Sequence, residues 1–291
     1  MLDKLCTYHY IRNGMVGVRL KNSNMRIDQP TKTLPKISNK QEEILKFIYH
    51  FRFLNRIQIQ ALLNHKDPKT INLWLKDLNE KDYLNRIYST KFGENTKPAV
   101  YYIGVNGIKY LKAMVDCPKE HIAKLHREKD RSDGFSANCQ LLADIYLELR
   151  NKDEGKISYK VVTSTGFLHP GSPYHFLKDS HVSLVIERAH TTSKKKNYFL
   201  LEIISSSLPG YSIRKRIKDY LDFYYSNDWE DNVGKDFPAI ILICETLPLM
   251  LSVRKMVARL LEESDDLENL NIAVTSAKDI REHGIKSELA V

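Results

Sequence analysis

The chain has 291 residues, of which 42% are hydrophobic and 28% are charged, and its formal net charge is +9. These values are typical of a globular protein long enough for two domains, and they exclude a disordered or fibrous chain. Residues 1–130 hold 24 lysines and arginines against 13 acids, whereas residues 131–291 hold 21 against 23. The basic excess of the first half favours a nucleic-acid partner.

The cysteines and the apolar segments exclude two further classes of protein. The four cysteines are widely spaced and include no CxxC pair, which indicates neither a disulfide framework nor a zinc site. No apolar run approaches the roughly 20 residues of a membrane span, and no signal peptide is recognisable. We therefore expect a cytoplasmic protein with no membrane partner.

Residues 1–36 are weakly patterned. The pair Asn13-Gly14 is typical of a hairpin turn, and the remainder of the segment favours a flexible leader. A basic arm that touches DNA is the alternative.

Three helix starts follow in close succession. Ser38 and Gln41 predict a capping box at the first helix, and Asn55 can cap a second helix. Asp67-Pro68 is typical of a third start, since a capping acid precedes a proline that needs no N–H. The third helix is expected to bury four apolar side chains, Ile71, Trp74, Leu75 and Leu78.

The pattern then changes from helix to strand. Segments 84–88 and 100–103 predict a two-stranded ribbon around a polar loop, followed by a helix capped by Asn106. Three helices and a hairpin in this order indicate a winged helix-turn-helix over residues 37–130. In that fold the third helix enters the major groove and the loop lies along the phosphates.

The outward face of the third helix and the wing loop supply the predicted DNA contacts. Lysines can bind phosphates, and asparagines can read adenine edges. The predicted groove contacts are Lys69, Thr70, Asn72 and Lys76, and the predicted wing contacts are Lys91 and Lys97. Double-stranded DNA is therefore the expected partner, and the arrangement allows a homodimer. A winged helix that binds a protein is the alternative.

Residues 131–291 predict a second, α/β domain. The predicted order of elements is α-β-β-β-α-β-α-β. It starts with a helix from Ser132, continues with β-like segments at 157–163, 181–187 and 198–204, and ends with helix, strand, helix and strand. That order implies a mixed sheet with helices against it. The segment 198–204 is apolar on both faces, which favours a central strand.

One acidic pair in this half suggests chemistry. Asp179 precedes one strand and Glu202 lies within the next, so that they can share a Mg²⁺ that activates water against a phosphodiester. The pair and the element order resemble the restriction-endonuclease-like PD-(D/E)xK fold. Two departures are Lys178, where the pattern has proline, and Ile204, where it has lysine.

A cation from the following helix can replace the missing lysine. Lys215 and Lys218 are the candidates for that catalytic role, with Asp179 and Glu202 as the metal ligands. Mg²⁺ is expected only if this domain is an active nuclease. The alternative is that Glu202 is a semi-buried acid paired with a cation of that helix, without catalysis.

Together the two halves are similar to the replication-relaxation proteins of plasmids and integrative elements in Gram-positive bacteria. In that family a winged-helix half precedes an Asp, a strand of the form F-hydrophobic-E-hydrophobic, and a helix with lysine and a Y-x-x-Y-like end. The positions that match here are Asp179, Phe199 to Ile203, Lys215 or Lys218, Tyr220 and Tyr224. The resemblance covers about residues 38–250, and Ile204 stands where the family often has an acid. It implies a role in plasmid replication and in the relaxed state of plasmid DNA, without a cleavage mechanism.

The sequence thus predicts a DNA-binding protein of a mobile element. Its expected role is to assist replication, relaxation or mobilisation, or their regulation, through the winged helix. Two alternatives remain open, a Mg²⁺-dependent nuclease or nickase and a dimeric transcription regulator.

Overall fold

In the computed structural model, the described residues are 34–89, 96–114, 119–151, 157–190, 196–264, 267 and 270–285. The chain divides into two compact units, Met1–Lys36 and Ile37–Val291. The predicted hairpin turn at Asn13-Gly14 and the predicted wing contact Lys91 lie outside the described residues.

The second unit begins with three helices and a small antiparallel sheet. These elements are α1 (Asn39–Phe51), β1 (Leu54–Asn55), α2 (Arg56–Leu62), α3 (Pro68–Glu80), β2 (Leu84–Ile87) and β3 (Val100–Ile103). The strand order is β1-β3-β2, and both pairs are antiparallel. The predicted order of three helices and a ribbon is therefore present.

The three predicted helix starts are confirmed. Ser38 and Gln41 form a reciprocal capping box at α1, and Asn55 forms one with Gln58 at α2. The carboxylate of Asp67 accepts hydrogen bonds from two N–H groups in the first turn of α3. Each cap satisfies donors that a helix leaves without a partner, which explains why these short helices begin where they do.

The core of this region uses one face of each helix. Ile71, Leu75 and Leu78 of α3 are fully buried. Trp74, expected with them, is only partly buried and packs edge-on against the ring of His65. Trp74 shares the three- and four-residue spacing of the buried set, but it lies at the edge of the buried face, beside His65.

Two helices follow the ribbon, α4 (Val105–Met114) and α5 (Lys119–Leu125). The prediction that Asn106 caps α4 is wrong, because the helix already begins at Val105. The amide of Asn106 instead donates to the carbonyl of Lys81, at a distance of 2.9 Å. This bond joins the start of α4 to the end of α3.

The remaining elements build a five-stranded sheet with flanking helices. They are α6 (Asp133–Asn151), β4 (Ile157–Thr163), α7 (Ser164–Phe167), β5 (Leu184–His190), β6 (Lys196–Ile204), α8 (Gly210–Tyr225), α9 (Asp228–Val233), β7 (Ala239–Cys244), α10 (Leu247–Glu262), β8 (Ile272–Ser276) and α11 (Ala277–His283). The strands follow chain order across the sheet. The pairs β4-β5 and β5-β6 are antiparallel, whereas β6-β7 and β7-β8 are parallel. The central position predicted for β6 is confirmed.

Each face of this sheet carries its own core. Side chains of α8, α9 and α10 pack on one face, and side chains of α6 and α11 pack on the other. Successive residues of β6 alternate between the two cores, as the pleat of a strand requires. Leu200 faces α8 and α10, and Leu201 faces α6 and α11.

Helix α6 connects the sheet with the amino-terminal helices. The amide of Gln58 in α2 donates to the carbonyl of Gln140 and to the carboxylate of Asp144, at 2.9 and 2.6 Å. Arg150 donates to the carbonyl of Leu62 at 2.6 Å. These contacts cross the boundary predicted near residue 130, and a division into two domains there stays a prediction. Within the described ranges, no helix combines the length and the apolar composition needed to cross a bilayer.

Candidate nucleic-acid interface

Helix α3 presents an exposed stripe opposite its buried face. The stripe consists of Lys69, Asn72, Leu73 and Lys76, which are all exposed. Their spacing of three, four and seven residues places them on one side of the helix. Three of the four were predicted from the sequence as groove contacts.

Leu73 is the member of the stripe that sequence reasoning missed. Its exposed fraction is 66%, the highest among the exposed leucines of the described residues. The available signal was its position between Asn72 and Lys76, since it shares their face and not that of Leu75. In a helix that enters the major groove, an exposed leucine can pack against a thymine methyl group.

Thr70, also predicted as a groove contact, is engaged within the helix cap. Its hydroxyl donates to the carboxylate of Asp67 at 2.5 Å, and its N–H donates to the same oxygen at 3.0 Å. Together with the N–H of Lys69, these bonds lower the pKa of Asp67, the Thr70 hydroxyl having the largest effect. The threonine therefore fixes the start of α3, and a groove contact by Thr70 stays a prediction.

The ribbon adds cations to this region. Lys97, predicted as a wing contact, is exposed just before β3. Arg86 of β2 is also exposed, and its guanidinium lies 4.6 Å from the centre of the Tyr88 ring. Stacking on an aromatic ring restricts a guanidinium without removing its donors. Sequence reasoning missed Arg86, although its place in a predicted strand beside the wing was the signal.

Exposed acids compensate part of this charge, since Asp67, Glu80 and Asp82 lie in the same stretch of chain. Lys76 lies 3.8 Å from Glu80, and both side chains are well exposed, so water screens the pair. Asp77 accepts hydrogen bonds from Lys81 and Gln41, which lie away from the stripe. The exposed cations of α3, its preceding turn and the ribbon are Lys66, Lys69, Lys76, Arg86 and Lys97.

The second candidate group surrounds Glu202 in the five-stranded sheet. The side chain of Glu202 is 1% exposed, and one carboxylate oxygen forms an ion pair with Arg216 of α8. The other oxygen accepts a hydrogen bond of 2.8 Å from the hydroxyl of Tyr220. Burial raises the pKa of Glu202, and the contacts with Arg216 and Tyr220 oppose that shift. The pairing of Glu202 with a cation of α8, which the sequence left as an alternative, is thus present, and the acid is buried rather than semi-buried.

Asp179 lies in a different environment from Glu202. It is exposed and lines a cleft of about 250 Å³ together with His181, Arg216 and Asp219. The imidazole of His181 is 3.8 Å from the carboxylate of Asp219 in this cleft. Among the residues lining the cleft, Glu202 does not occur.

The two lysines predicted as catalytic do not contact Glu202 in the structure. Lys215 and Lys218 are exposed on α8, whereas Arg216 points to Glu202. Over the described ranges, no group of three or more His, Cys, Asp and Glu residues is arranged to hold a metal ion. Both oxygens of Glu202 already accept hydrogen bonds, and metal binding by Asp179 and Glu202 stays a hypothesis.

Comparison with known proteins places the chain in a family. One solved structure that is similar in part is the zinc-responsive MarR family member ZitR of Lactococcus lactis, at 15% sequence identity. The match covers 45% of this chain and 85% of that chain, and its TM-score is 0.24. At that TM-score the likeness carries no argument. No curated protein matches the chain. The family model described as replication-relaxation matches residues 45–239, which is more than half of the chain, and the protein therefore belongs to the replication-relaxation family.

Proposed function

We propose that this protein binds double-stranded DNA of a plasmid or integrative element and assists its replication. Binding would use residues 37–130 as a winged helix-turn-helix, with relaxation, mobilisation or their regulation as the accompanying roles. Membership of the replication-relaxation family supports a role in the replication of such an element. The chemistry of α3 supports DNA as the ligand.

The exposed stripe of α3 is the observation that carries the proposal. In a winged helix the third helix enters the major groove, where side chains reach the base edges. Lys69 and Lys76 stand at the two ends of the stripe, seven residues or about 10 Å apart along the helix axis. Asn72 and Leu73 lie between them, with an amide suited to adenine and an apolar surface suited to thymine.

The ribbon supports the same orientation. It follows α3 directly, and Asn79 of α3 donates to the carbonyl of Leu84 in β2 at 2.8 Å. This bond fixes the ribbon against the helix, so that Arg86 and Lys97 have a defined place relative to the stripe. In a winged helix, cations at this place contact the phosphates beside the groove.

For residues 131–291 we propose a restriction-endonuclease-like scaffold. The order α6-β4-β5-β6-α8-β7, with β6 antiparallel to β5 and parallel to β7, supports it. In this proposal Glu202 holds α8 on the sheet through Arg216 and Tyr220. The dimeric regulator remains the alternative for the whole protein.

Duplex binding across a salt series tests the proposal. Fluorescence anisotropy with a labelled duplex from the element's replication origin would compare wild type with the double variant Lys69→Ala/Lys76→Ala. If both lysines contact phosphates, the slope of log K against log salt becomes shallower by about 2. The affinity at low salt falls as well.

The matched control is Lys255→Ala/Lys278→Ala. Lys278 lies 3.8 Å from Glu282 at i+4, the same spacing and distance as Lys76 and Glu80. Both doubles remove two exposed cations and one exposed ion pair. Equal loss of affinity in the two doubles would mean that only net charge matters and would refute binding through α3. Binding of a dimer to a single palindrome would favour the regulator.

A further inference from the structure

We infer that α8 carries a second nucleic-acid surface, separate from α3, and that its ligand is single-stranded DNA. The α8 stripe consists of Tyr211, Arg214, Lys215 and Lys218. These four positions are spaced by three, four and seven residues, so they share one side of the helix. The opposite side is buried in the core and comprises Ile213, Ile217, Tyr220 and Leu221.

Tyr211 is the first reason to infer a ligand. Its exposed fraction is 79%, higher than that of any other exposed large hydrophobic side chain in the described ranges. An aromatic ring left in water offers a flat apolar face on which a nucleobase can stack. The bases of a duplex stack on each other, whereas those of a single strand leave their faces available.

The cations of the stripe supply the second reason. Within the described ranges, neither Lys215 nor Lys218 takes part in an ion pair, and both are exposed. Arg214 lies 3.7 Å from Glu263 in a pair whose side chains are about half exposed. Such a pair contributes little, so a phosphate can compete for the guanidinium. On the same side of α8 as the stripe, one turn beyond Lys218, lies one exposed acid, Asp222.

This composition favours a nucleic acid over a protein partner. Tyrosine and arginine are enriched in protein interfaces, but lysine is depleted there. Two lysines beside an exposed tyrosine form the usual combination of phosphate contacts and base stacking found in single-strand binders. Tyr211 and Lys215 lie one turn apart, close enough for one nucleotide to contact both through its base and its phosphate.

The inference stands apart from the duplex-binding proposal, because different helices carry the two. The Lys69→Ala/Lys76→Ala variant is expected to bind single strands as wild type does. Variants of the α8 stripe are expected to retain duplex binding through α3. Failure of one proposal therefore leaves the other measurable.

The test uses the full chain and a fluorescein-labelled oligothymidine, with a duplex hairpin as competitor. Tyr211→Ala is expected to weaken oligothymidine binding by about tenfold, the effect of losing one stacked base. Tyr211→Phe retains the ring and should bind as wild type does. Tyr211→Leu retains apolar bulk without a π face and should resemble the alanine variant.

The lysines are tested through salt dependence. Lys215→Ala/Lys218→Ala should make the slope of log K against log salt shallower by about 1.4, which is the value for two phosphates of a single strand. Lys255→Ala/Lys278→Ala serves again as the control. Because all these side chains are exposed, the variants should fold, and an unchanged melting temperature verifies this.

Three outcomes would overturn the inference. Equal affinities of the phenylalanine, leucine and alanine variants for oligothymidine would show that no base stacks on Tyr211. If the duplex hairpin, at the same concentration as oligothymidine, completely displaces oligothymidine from the α8 stripe, the stripe is a duplex site. A Tyr211→Ala variant that changes the sedimentation of the protein but not its oligothymidine affinity would assign the stripe to contact between copies of the chain.

Discussion

Replacing Arg216 by methionine should destabilise the protein strongly at neutral pH. The change keeps an aliphatic side chain but removes the cation that faces Glu202, whose side chain is 1% exposed. Breaking a buried ion pair by removing one partner typically costs about 3–5 kcal/mol. Because the side chain of Arg216 is 22% exposed and water can reach part of the site, we expect the lower end, about 3 kcal/mol.

The effect should depend on pH in a defined direction. Burial already raises the pKa of Glu202, and Arg216 is the main group opposing that shift. Without Arg216 the folded-state pKa rises further above the unfolded value of about 4.3. A carboxyl with a raised folded pKa favours folding in its protonated form. The penalty of Arg216→Met is therefore largest at pH 7 and shrinks as the pH falls toward the unfolded value.

Urea denaturation at pH 7 and pH 5 measures both effects. Arg214→Met is the matched control, since Arg214 is on the same helix and its ion pair with Glu263 is exposed. This variant should lower the free energy of unfolding by less than about 1 kcal/mol. Adding Glu202→Leu to Arg216→Met should recover stability, because it removes the buried charge. The reasoning fails if the two arginine variants have equal unfolding midpoints at pH 7.

Two further predictions concern the amino-terminal helices. Gly107→Ala should lower the stability by about 1–3 kcal/mol, because its Cβ would lie 2.3 Å from the carbonyl oxygen of Tyr83. The control Gly134→Ala has no contact closer than 3.6 Å and should not lower the melting temperature. For His121, which is 7% exposed, burial lowers the pKa to about 4, so its contribution to stability is present above pH 6.5 and is lost as the pH falls toward 4. Thermal unfolding of His121→Leu should accordingly show a shallower loss of stability over that range, and an unchanged pH profile would contradict this assignment.

The features predictable from sequence are those with local causes. Helix caps at Ser38, Asn55 and Asp67 follow from side chains two or three residues away from the groups they satisfy. The central place of β6 follows from its apolar residues on both faces. Neither inference requires knowledge of which distant segment packs where.

Helix phase determines which cation of α8 is the partner of Glu202. Lys215 and Lys218 were predicted because the endonuclease pattern asks for lysine. The buried positions Ile213 and Ile217 set the orientation of α8, and this orientation turns Arg216 toward the sheet and both lysines toward solvent. Residue type alone therefore suggests a contact of Glu202 with Lys215 or Lys218, whereas the helical periodicity indicates a contact with Arg216.

The exposed Leu73 illustrates the same difficulty in α3. Its neighbour Trp74 was expected in the core as a large apolar residue, yet it is partly exposed, and Leu73 is 66% exposed. Apolar character alone does not identify the buried face of a helix. The full set of buried residues is needed to define that face. Ile71, Leu75 and Leu78 place Leu73 on the opposite side, whereas Trp74, three residues after Ile71 and four before Leu78, lies at the edge of the buried face.

The attachment of α2 to α6 gives the two proposed surfaces a common frame. Gln58 donates both to a backbone carbonyl and to Asp144, and Arg150 donates to the end of α2, so that separating the helices would leave several polar groups unpaired. Helix α6 packs on the sheet face opposite α8. If a duplex bound at α3 carries a single-stranded tail long enough to reach α8, attachment alone raises the local concentration of that tail at the α8 stripe. Weakening that attachment with Gln58→Ala should reduce the affinity for a duplex with a single-stranded tail more than for either part alone.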